Sequence, residues 1–283
     1  MQVDIRRPAL YVVATPIGNL GDITLRALET LRSVDLIAAE DTRVTARLLG
    51  HFGIDKPVLA LHQHHERQAG ARLIRALQAG QAVALVSDAG TPAMSDPGAA
   101  LIGAVRTHGF DVIPIPGPSA LAAAWSVAGV QETGFVFHGF LPARATERRK
   151  ILESLSRLPY ALVFYEAPHR VLETADDLTA VLGAGRRAVV ARELTKVFES
   201  IHACSLGELG TWLESDDNHR RGEFVLIVGG AQEQAPQSSL GEAALRILLE
   251  ELKPAQAARL AARISGVARA ELYDLAVRLR GGD

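Results

Sequence analysis

The sequence predicts an α/β protein of two domains, with a mainly parallel sheet in the first, a mixed sheet in the second, and a small C-terminal helical module. Three observations predict it. Short apolar runs alternate with helical patterns from residue 10 to about 115, and β-branched and aromatic runs recur between 134 and 228. A polar stretch at 231–239 then leads into purely helical spacing from 240 to 280. The expected boundaries are 1–120, 121–231 and 232–283.

In chain order, Leu10–Ala14 reads as a strand, Leu25–Arg32 as a helix, Leu36–Ala39 as a strand and Thr42–His51 as a helix. Val58–Leu61, Val83–Val86 and Asp111–Pro114 read as further strands, separated by helices over Glu66–Gln78 and Gly98–Thr107. Such alternation implies βαβ units and a sheet covered on both faces, with ligands beyond the carboxyl ends of the strands. The unusual loops lie at those ends: Thr15-Pro-Ile-Gly-Asn-Leu-Gly-Asp22, Glu40-Asp-Thr-Arg43, Ser87 to Gly98, and Pro114 to Ser119. An alanine-rich helical stretch from Leu121 toward Gly134 leads to strands at Gly134–Phe140, Ala161–Tyr165, Ala188–Arg192 and Phe224–Val228. In the last segment Leu245, Leu248, Ala258, Ala261, Leu272 and Leu275 keep helical spacing, and Gly266 marks a turn, as in a helix-turn-helix-like module.

Composition narrows the function. The chain has 283 residues, 48% hydrophobic content and a formal charge of −2. Binding to nucleic acid would therefore need local basic patches rather than a global field. Basic and acidic residues nearly balance in the C-terminal module, which argues against a strong autonomous nucleic-acid binder. The single cysteine, Cys204, excludes an intrachain disulfide and a cysteine-rich zinc site. No run approaches the ~18 apolar residues of a membrane span, and the N-terminus lacks an apolar signal core, so a cytoplasmic soluble protein is expected.

Several chemistries are weighed and set aside. Pro16-Ile-Gly-Asn-Leu-Gly21 follows the first strand as a dinucleotide fingerprint would, but proline stands where the first glycine belongs and offers no N–H to a phosphate. His62-Gln-His-His65 lacks a partner ligand in zinc-like spacing and reads as a solvated loop, so no metal is expected. Gly-x-Ser-x-Gly is absent. What stands out is Ser87-Asp-Ala-Gly-Thr-Pro-Ala-Met-Ser-Asp-Pro-Gly98: two turn clusters in series behind a buried strand suggest a backbone shaped to hold something.

Six motifs in order carry a resemblance. Thr15 to Thr24, Glu40 to Arg43, Ser87 to Gly98, Pro114 to Ala120, Phe164-Tyr-Glu-Ala-Pro-His-Arg170 and Arg192-Glu-Leu-Thr-Lys-Val-Phe-Glu199 together resemble the tetrapyrrole methylase superfamily, in its ribosomal RNA cytidine 2'-O-methyltransferase branch. The resemblance covers residues 9 to 230 densely and the C-terminal module loosely. It implies a tetrapyrrole-methylase-like fold, S-adenosylmethionine held in the cleft between two α/β domains, and a homodimer. It further implies methylation of a cytidine ribose in the decoding region of 16S ribosomal RNA, with the assembled small subunit as partner.

By the same resemblance Asp88, Ala89, Gly90 and Thr91 present backbone groups to the cofactor. Pro16, Ser119 and Ala120 border it, and Tyr165 and Glu166 reach it from the second domain. A ribose hydroxyl is a weak nucleophile helped by a base near its proton. Candidates in the motifs are Glu166, His169, Lys196 and Glu199, with Lys196 needing a lowered pKa. RNA contact is expected from Arg43, from Arg144, Arg148 and Arg149, and from Arg170 and Arg192 as phosphate or carboxylate clamps. Plainer readings exist for some: Asp88 and Asp96 as Asx turns, Glu40 and Asp41 as caps of the next helix, Lys196 and Glu199 as a surface ion pair. Two other functions are kept in view, a small-molecule tetrapyrrole methylase with a deep apolar cleft and a DNA-binding regulator using the C-terminal helices.

Overall fold

The computed structural model describes residues 5–61, 66–96, 98–231 and 236–280. Residues up to Gly230 form one compact unit and those from Ala231 a second. The run His62–His65 lies outside the described residues.

Five strands open the first unit: β1 (Ala9–Val13), β2 (Leu36–Ala39), β3 (Val58–Ala60), β4 (Ala82–Val86) and β5 (Asp111–Ile115). They pair in the order β3-β2-β4-β1-β5, every pair parallel. The crossovers are α1 (Leu25–Ser33), α2 (Thr42–His51), α3 (Glu66–Gln78) and α4 (Ala99–Thr107). Strand alternation sends Tyr11, Val13, Ile37 and Ala84 to a core shared with Leu28, Leu31 and Leu49 of α1 and α2. Leu10, Ala38, Val83 and Leu85 point the other way, onto Leu73 and Leu77 of α3 and Leu101 and Val105 of α4. Burial on both faces explains why these strands read as continuous apolar runs. Each fully buried Leu or Val contributes about 1.5–3 kcal/mol relative to exposure.

α1 and α2 start on side-chain caps, Thr24 accepting from the Ala27 N–H at 3.0 Å and Asp41 accepting from the Arg43 N–H at 2.8 Å. The Asp41 cap is the plainer reading of that residue made good.

The second sheet follows α5 (Ala120–Val127) and contains β6 (Phe135–Phe140), β7 (Ala161–Glu166), β8 (Arg187–Arg192), β9 (Ser200–Ser205) and β10 (Phe224–Val228). Its order is β6-β7-β10-β8-β9, with β6–β7 parallel and the other pairs antiparallel. Helices α6 (Ala145–Leu155), α7 (Val171–Leu182) and α8 (Leu206–Ser215) cover one face, where Leu152, Leu178 and Leu213 pack with Phe164, Val190 and Leu226. On the other face Val163, Ala191, Val225 and Ile227 meet Leu121 and Ala124 of α5, and Met94 from the loop after β4. The sequence pattern omits β9: its Ser-Ile-His-Ala-Cys-Ser run lies on the sheet edge, half exposed, with little apolar weight.

The second unit is a three-helix module of α9 (Pro236–Glu251), α10 (Pro254–Ser265) and α11 (Arg269–Arg280). Leu245, Ala258, Ala261, Leu272 and Ala276 form its core. Gly266 ends α10 in the left-handed conformation, φ 75°, its N–H donating to the Ala262 carbonyl.

Candidate active site

The loop after β4 is held from both sides. Thr15 and Gly90 exchange backbone hydrogen bonds at 2.9 and 3.0 Å, and the Thr91 hydroxyl donates to the Pro118 carbonyl at 3.2 Å. Gly90 sits at φ 76°, where a Cβ would also press the Ile17 side chain at 3.3 Å. Farther along, Ala93 (φ 68°) and Ser95 (φ 64°) adopt the left-handed region without being glycine. Ser95 lies against Gly139, itself at φ 78° beside a register shift in β6, where a Cβ would overlap the Ser95 hydroxyl. The stiff double turn thus bridges from the first sheet to the edge of the second.

Between them lies a cavity of about 300 Å³. Ala89, Gly90, Thr91, Met94 and Asp96 line it from the β4 loop, and Ser119 and Ala120 from the start of α5. Phe140, Tyr165, Glu166 and Val225 close it from the second sheet, and Leu194 from the connection between β8 and β9. Ser119 is the N-cap of α5, so the positive end of that helix faces the cavity. The Tyr165 ring stacks edge-on against Phe137 and Phe140 at 4.9 and 5.6 Å between centroids, and its hydroxyl accepts from the Leu121 N–H at 3.1 Å. Burial pushes the Tyr165 phenol above its ordinary range. An apolar aromatic wall facing backbone donors and a helix N-terminus suits a ligand with an adenine ring, a carboxylate and a soft cationic centre.

Of the residues expected at the cofactor, Ala89, Gly90, Thr91, Ser119, Ala120 and Tyr165 line this cavity, whereas Pro16 and Asp88 do not. Ile17 takes the place of Pro16. Asp88 turns away and accepts from the Asp41 N–H at 2.9 Å.

The expected bases fare differently. Glu166 lies on the wall but its carboxylate is fully engaged: Oε1 accepts from the Ala167 N–H at 2.8 Å and from Arg170 at 2.6 and 2.8 Å, and Oε2 from the Thr174 hydroxyl at 2.6 Å. Lys196 bonds Glu193 at 2.7 Å and Glu223 at 3.0 Å. Burial pulls its pKa down, but those carboxylates outweigh burial and the net shift is upward, so the lowered pKa a basic Lys196 requires is not found. Glu199 is exposed and accepts from the Thr195 N–H at 2.6 Å. His169 lines a separate open cleft with Asp217, Arg220 and Arg221.

Of the expected RNA contacts, Arg148 and Arg192 are buried, and Arg170 is partly buried with its donors engaged inside the fold. Arg148 is 1% exposed, its Nε donating to Asp177 at 2.6 Å and its Nη1 to the Ala143 carbonyl at 3.3 Å. Arg192 is 8% exposed and donates to Ser200 and to the Phe198 and Arg221 carbonyls. Arg170 is spent on Glu166 and the Leu141 carbonyl. Arg43 and Arg144 remain exposed, Arg43 forked onto Asp41 at 2.6 Å and Arg144 beside Glu147 at 3.4 Å. That fork holds the Asp41 carboxyl well below the usual range. Arg149 is half exposed and shares Asp177.

Sequence reasoning missed Asp96 as a cavity residue. Its only signal was the second turn cluster, which an Asx turn explains equally well. Glu40 stands nearby, and burial with Asp88 and Asp96 pushes its carboxyl upward.

A family profile described as Tetrapyrrole (Corrin/Porphyrin) Methylases matches residues 9–210. The chain belongs to the tetrapyrrole methylase family. A second profile, RsmI C-terminal HTH domain, matches residues 235–280. Relatives within the family include a ribosomal RNA small subunit methyltransferase I of Pseudomonas aeruginosa, 51% identical over 275 residues, covering 96% of this chain and 98% of the relative. One of the same description from Xylella fastidiosa is 52% identical over 265 residues, covering 93% and 97%. Among solved structures, a cobalt precorrin-4 methyltransferase of cobalamin biosynthesis has TM-score 0.59 at 18% identity, covering 78% of this chain and 94% of its own. A uroporphyrin-III C-methyltransferase from Thermus thermophilus, complexed with S-adenyl homocysteine, has TM-score 0.56 at 18% identity, covering 78% and 97%. These structures share the tetrapyrrole methylase fold of the first unit. Among the described residues no helix is long and apolar enough to cross a membrane, and no group of three or more His, Cys, Asp or Glu residues could hold a metal ion.

Proposed function

We propose that this tetrapyrrole methylase family member is an S-adenosylmethionine-dependent methyltransferase acting on the 2'-hydroxyl of a cytidine in the decoding region of 16S ribosomal RNA. The observation that carries it is the half-identity, over nearly the full length of both chains, to proteins described as ribosomal RNA small subunit methyltransferase I. The assembled small subunit is the proposed substrate, and a cytoplasmic homodimer the proposed working form.

The cofactor supplies an activated methyl group on a sulfonium whose charge disappears on transfer. Backbone groups of Ala89 to Thr91 and the N-terminus of α5 would hold its polar ends, while Phe140, Tyr165 and Val225 give the reacting centre an apolar wall. Rigidity comes from the Thr15–Gly90 and Thr91–Pro118 ties. Exposed Arg43, Arg144 and Arg149 would meet phosphates, in a chain whose net charge of −2 offers no long-range attraction.

The test uses methyl-labelled S-adenosylmethionine and small ribosomal subunits from cells lacking the enzyme, followed by mapping of the labelled nucleotide. Label on one cytidine ribose is the expected outcome. Binding of the cofactor with no transfer to subunits or free RNA would refute the RNA substrate and favour a small tetrapyrrole.

A further inference from the structure

The last rung of the β7–β10 ladder pairs Glu166 with Phe224. Beyond it both strands continue into loops that line two spaces in succession. Pro168 and Glu223 border the main cavity. Pro168 also borders a second, open cleft of about 480 Å³, together with His169, Asp217, Arg220 and Arg221. Consecutive Cα atoms lie ~3.8 Å apart, so His169 opens the cleft where the cavity wall ends at Pro168.

Charge in this cleft is unevenly paired. Its two carboxylates already have cations: Asp217 pairs with Arg220, and Glu173 lies 3.7 Å from the buried Arg148. Arg221 is exposed, its guanidinium donates to the neutral Asn218 amide oxygen at 3.4 Å, and it forms no ion pair among the described residues. His169 is also exposed, and its ring makes no hydrogen bond among the described residues. A guanidinium offers a planar fork of donors and no acceptor, and an imidazole adds a further donor. Those are the groups that the non-bridging oxygens of a phosphodiester accept from.

We propose that this cleft is a phosphodiester subsite, in which Arg221, with Arg220 and His169, grips the RNA backbone beside the nucleotide whose ribose enters the cavity. The inference rests on the RNA methyltransferase reading above and names where that RNA is held. Because Pro168 is common to both spaces, a strand with its ribose in the cavity has a neighbouring phosphate within reach of the cleft.

The turn that carries the arginines is held from both sides. A 3-10 turn over Asp217–Arg220 starts on Asp216, whose carboxylate accepts from the Asn218 N–H at 2.8 Å. His219 stacks on Trp212 of α8 at 4.2 Å between centroids, which pins the turn to that helix. From the sheet, the buried Arg192 donates to the Arg221 carbonyl at 3.2 Å. Gly222 follows at φ 88°, and a Cβ there would overlap the Glu193 side chain. Arg192, expected from the sequence to clamp a phosphate itself, instead fixes the backbone of the residue that does. A turn ordered before RNA arrives avoids the entropy cost of ordering a free loop on binding.

The test uses the full-length protein and reads small-subunit affinity by filter binding across about 50–200 mM salt, with cofactor affinity by calorimetry and stability by urea unfolding beside it. Arg221→Gln should weaken subunit binding about tenfold, the order of one hydrogen bond to a charged group, and flatten the log–log salt slope by about 0.7–0.9. Adding Arg220→Gln should flatten it further, and Arg221→Lys should regain part of the affinity as a point charge. His169→Ala should weaken binding by a smaller factor than Arg221→Gln. Cofactor affinity and urea stability should be unchanged, because none of these side chains lines the main cavity. Arg106→Gln removes the same charge from the last turn of α4, which leads into the start of β5 and not to the carboxyl ends of the strands, and should leave the slope as it is. The same losses should appear on protein-free 16S RNA; a loss confined to subunits would assign the cleft to a ribosomal protein and overturn the proposal. An unchanged salt slope in the double variant, an equal change in Arg106→Gln, or a binding loss matched by lost stability would also overturn it while leaving the methyltransferase reading intact. Failure of wild type itself to methylate RNA would overturn both.

Discussion

Replacing Glu166 with Gln separates a structural carboxylate from a chemical one. The wild-type side chain is fully buried and Arg170 is 17% exposed, and Oε1 alone accepts three hydrogen bonds. A Gln can keep its carbonyl at that position and turn its NH₂ toward the Thr174 hydroxyl, which can accept. Every contact then survives in neutral form, but the Arg170 charge loses its partner. Removing a buried partner outright costs about 3–5 kcal/mol, and retained hydrogen bonds reduce that, so the expected loss is about 2–3 kcal/mol. Urea unfolding of both proteins at pH 7 measures it, and turnover of the folded fraction should stay within about tenfold of wild type. A variant as stable as wild type to about 0.5 kcal/mol, yet at least 10²-fold slower, would refute the structural reading and return Glu166 to the chemistry.

Asp177→Ala should destabilise the protein by about 3–5 kcal/mol in urea unfolding, because Arg148 and Asp177 side chains are 2% and 3% exposed and the arginine would be left buried without its 2.6 Å partner. Replacing both by apolar residues of similar volume should recover most of that loss. Lys196→Met should leave the pH profile of kcat/KM in place, since an ammonium with a raised pKa stays charged through the assay range; a profile that loses a limb would make Lys196 a proton carrier. Asp35 accepts from Arg7 at 3.0 Å and from the Ala82 N–H at 2.8 Å, and the Arg7 hydrogen bond leads in depressing its pKa. Its stabilisation is therefore present above the ordinary aspartate value and lost as pH falls through the lowered one. With both side chains a third or more exposed, Asp35→Asn should cost under about 1 kcal/mol at pH 7, a difference that disappears in acid melts.

What the sequence determined by itself was whatever depends on near neighbours. Apolar runs of the first sheet were legible because both of its faces are buried, leaving no polar alternation to confuse strand with loop. The loops at its carboxyl edge were legible because turn chemistry is local, and Asp41 stood one residue before a helix that it does cap. The six motifs carried the family and the fold of both sheets. β9 escaped because an edge strand of small and polar residues has no pattern of its own and exists only by pairing with β8.

Tertiary structure decided which charges are free. Arg148, Arg170 and Arg192 read in sequence as contacts for RNA or for a phosphate or carboxylate, and only the packing of α6, α7 and the β8–β9 turn against the second sheet consumes their donors. The same holds for Glu166, which α7 silences through Arg170 and Thr174. Asp96 is the converse: in sequence a turn residue, it lines the cavity next to Ser95, which packs against Gly139 from a strand more than forty positions away in the chain. Whether a polar side chain is structural or chemical depends on which long-range partners it finds, and local sequence holds no record of those.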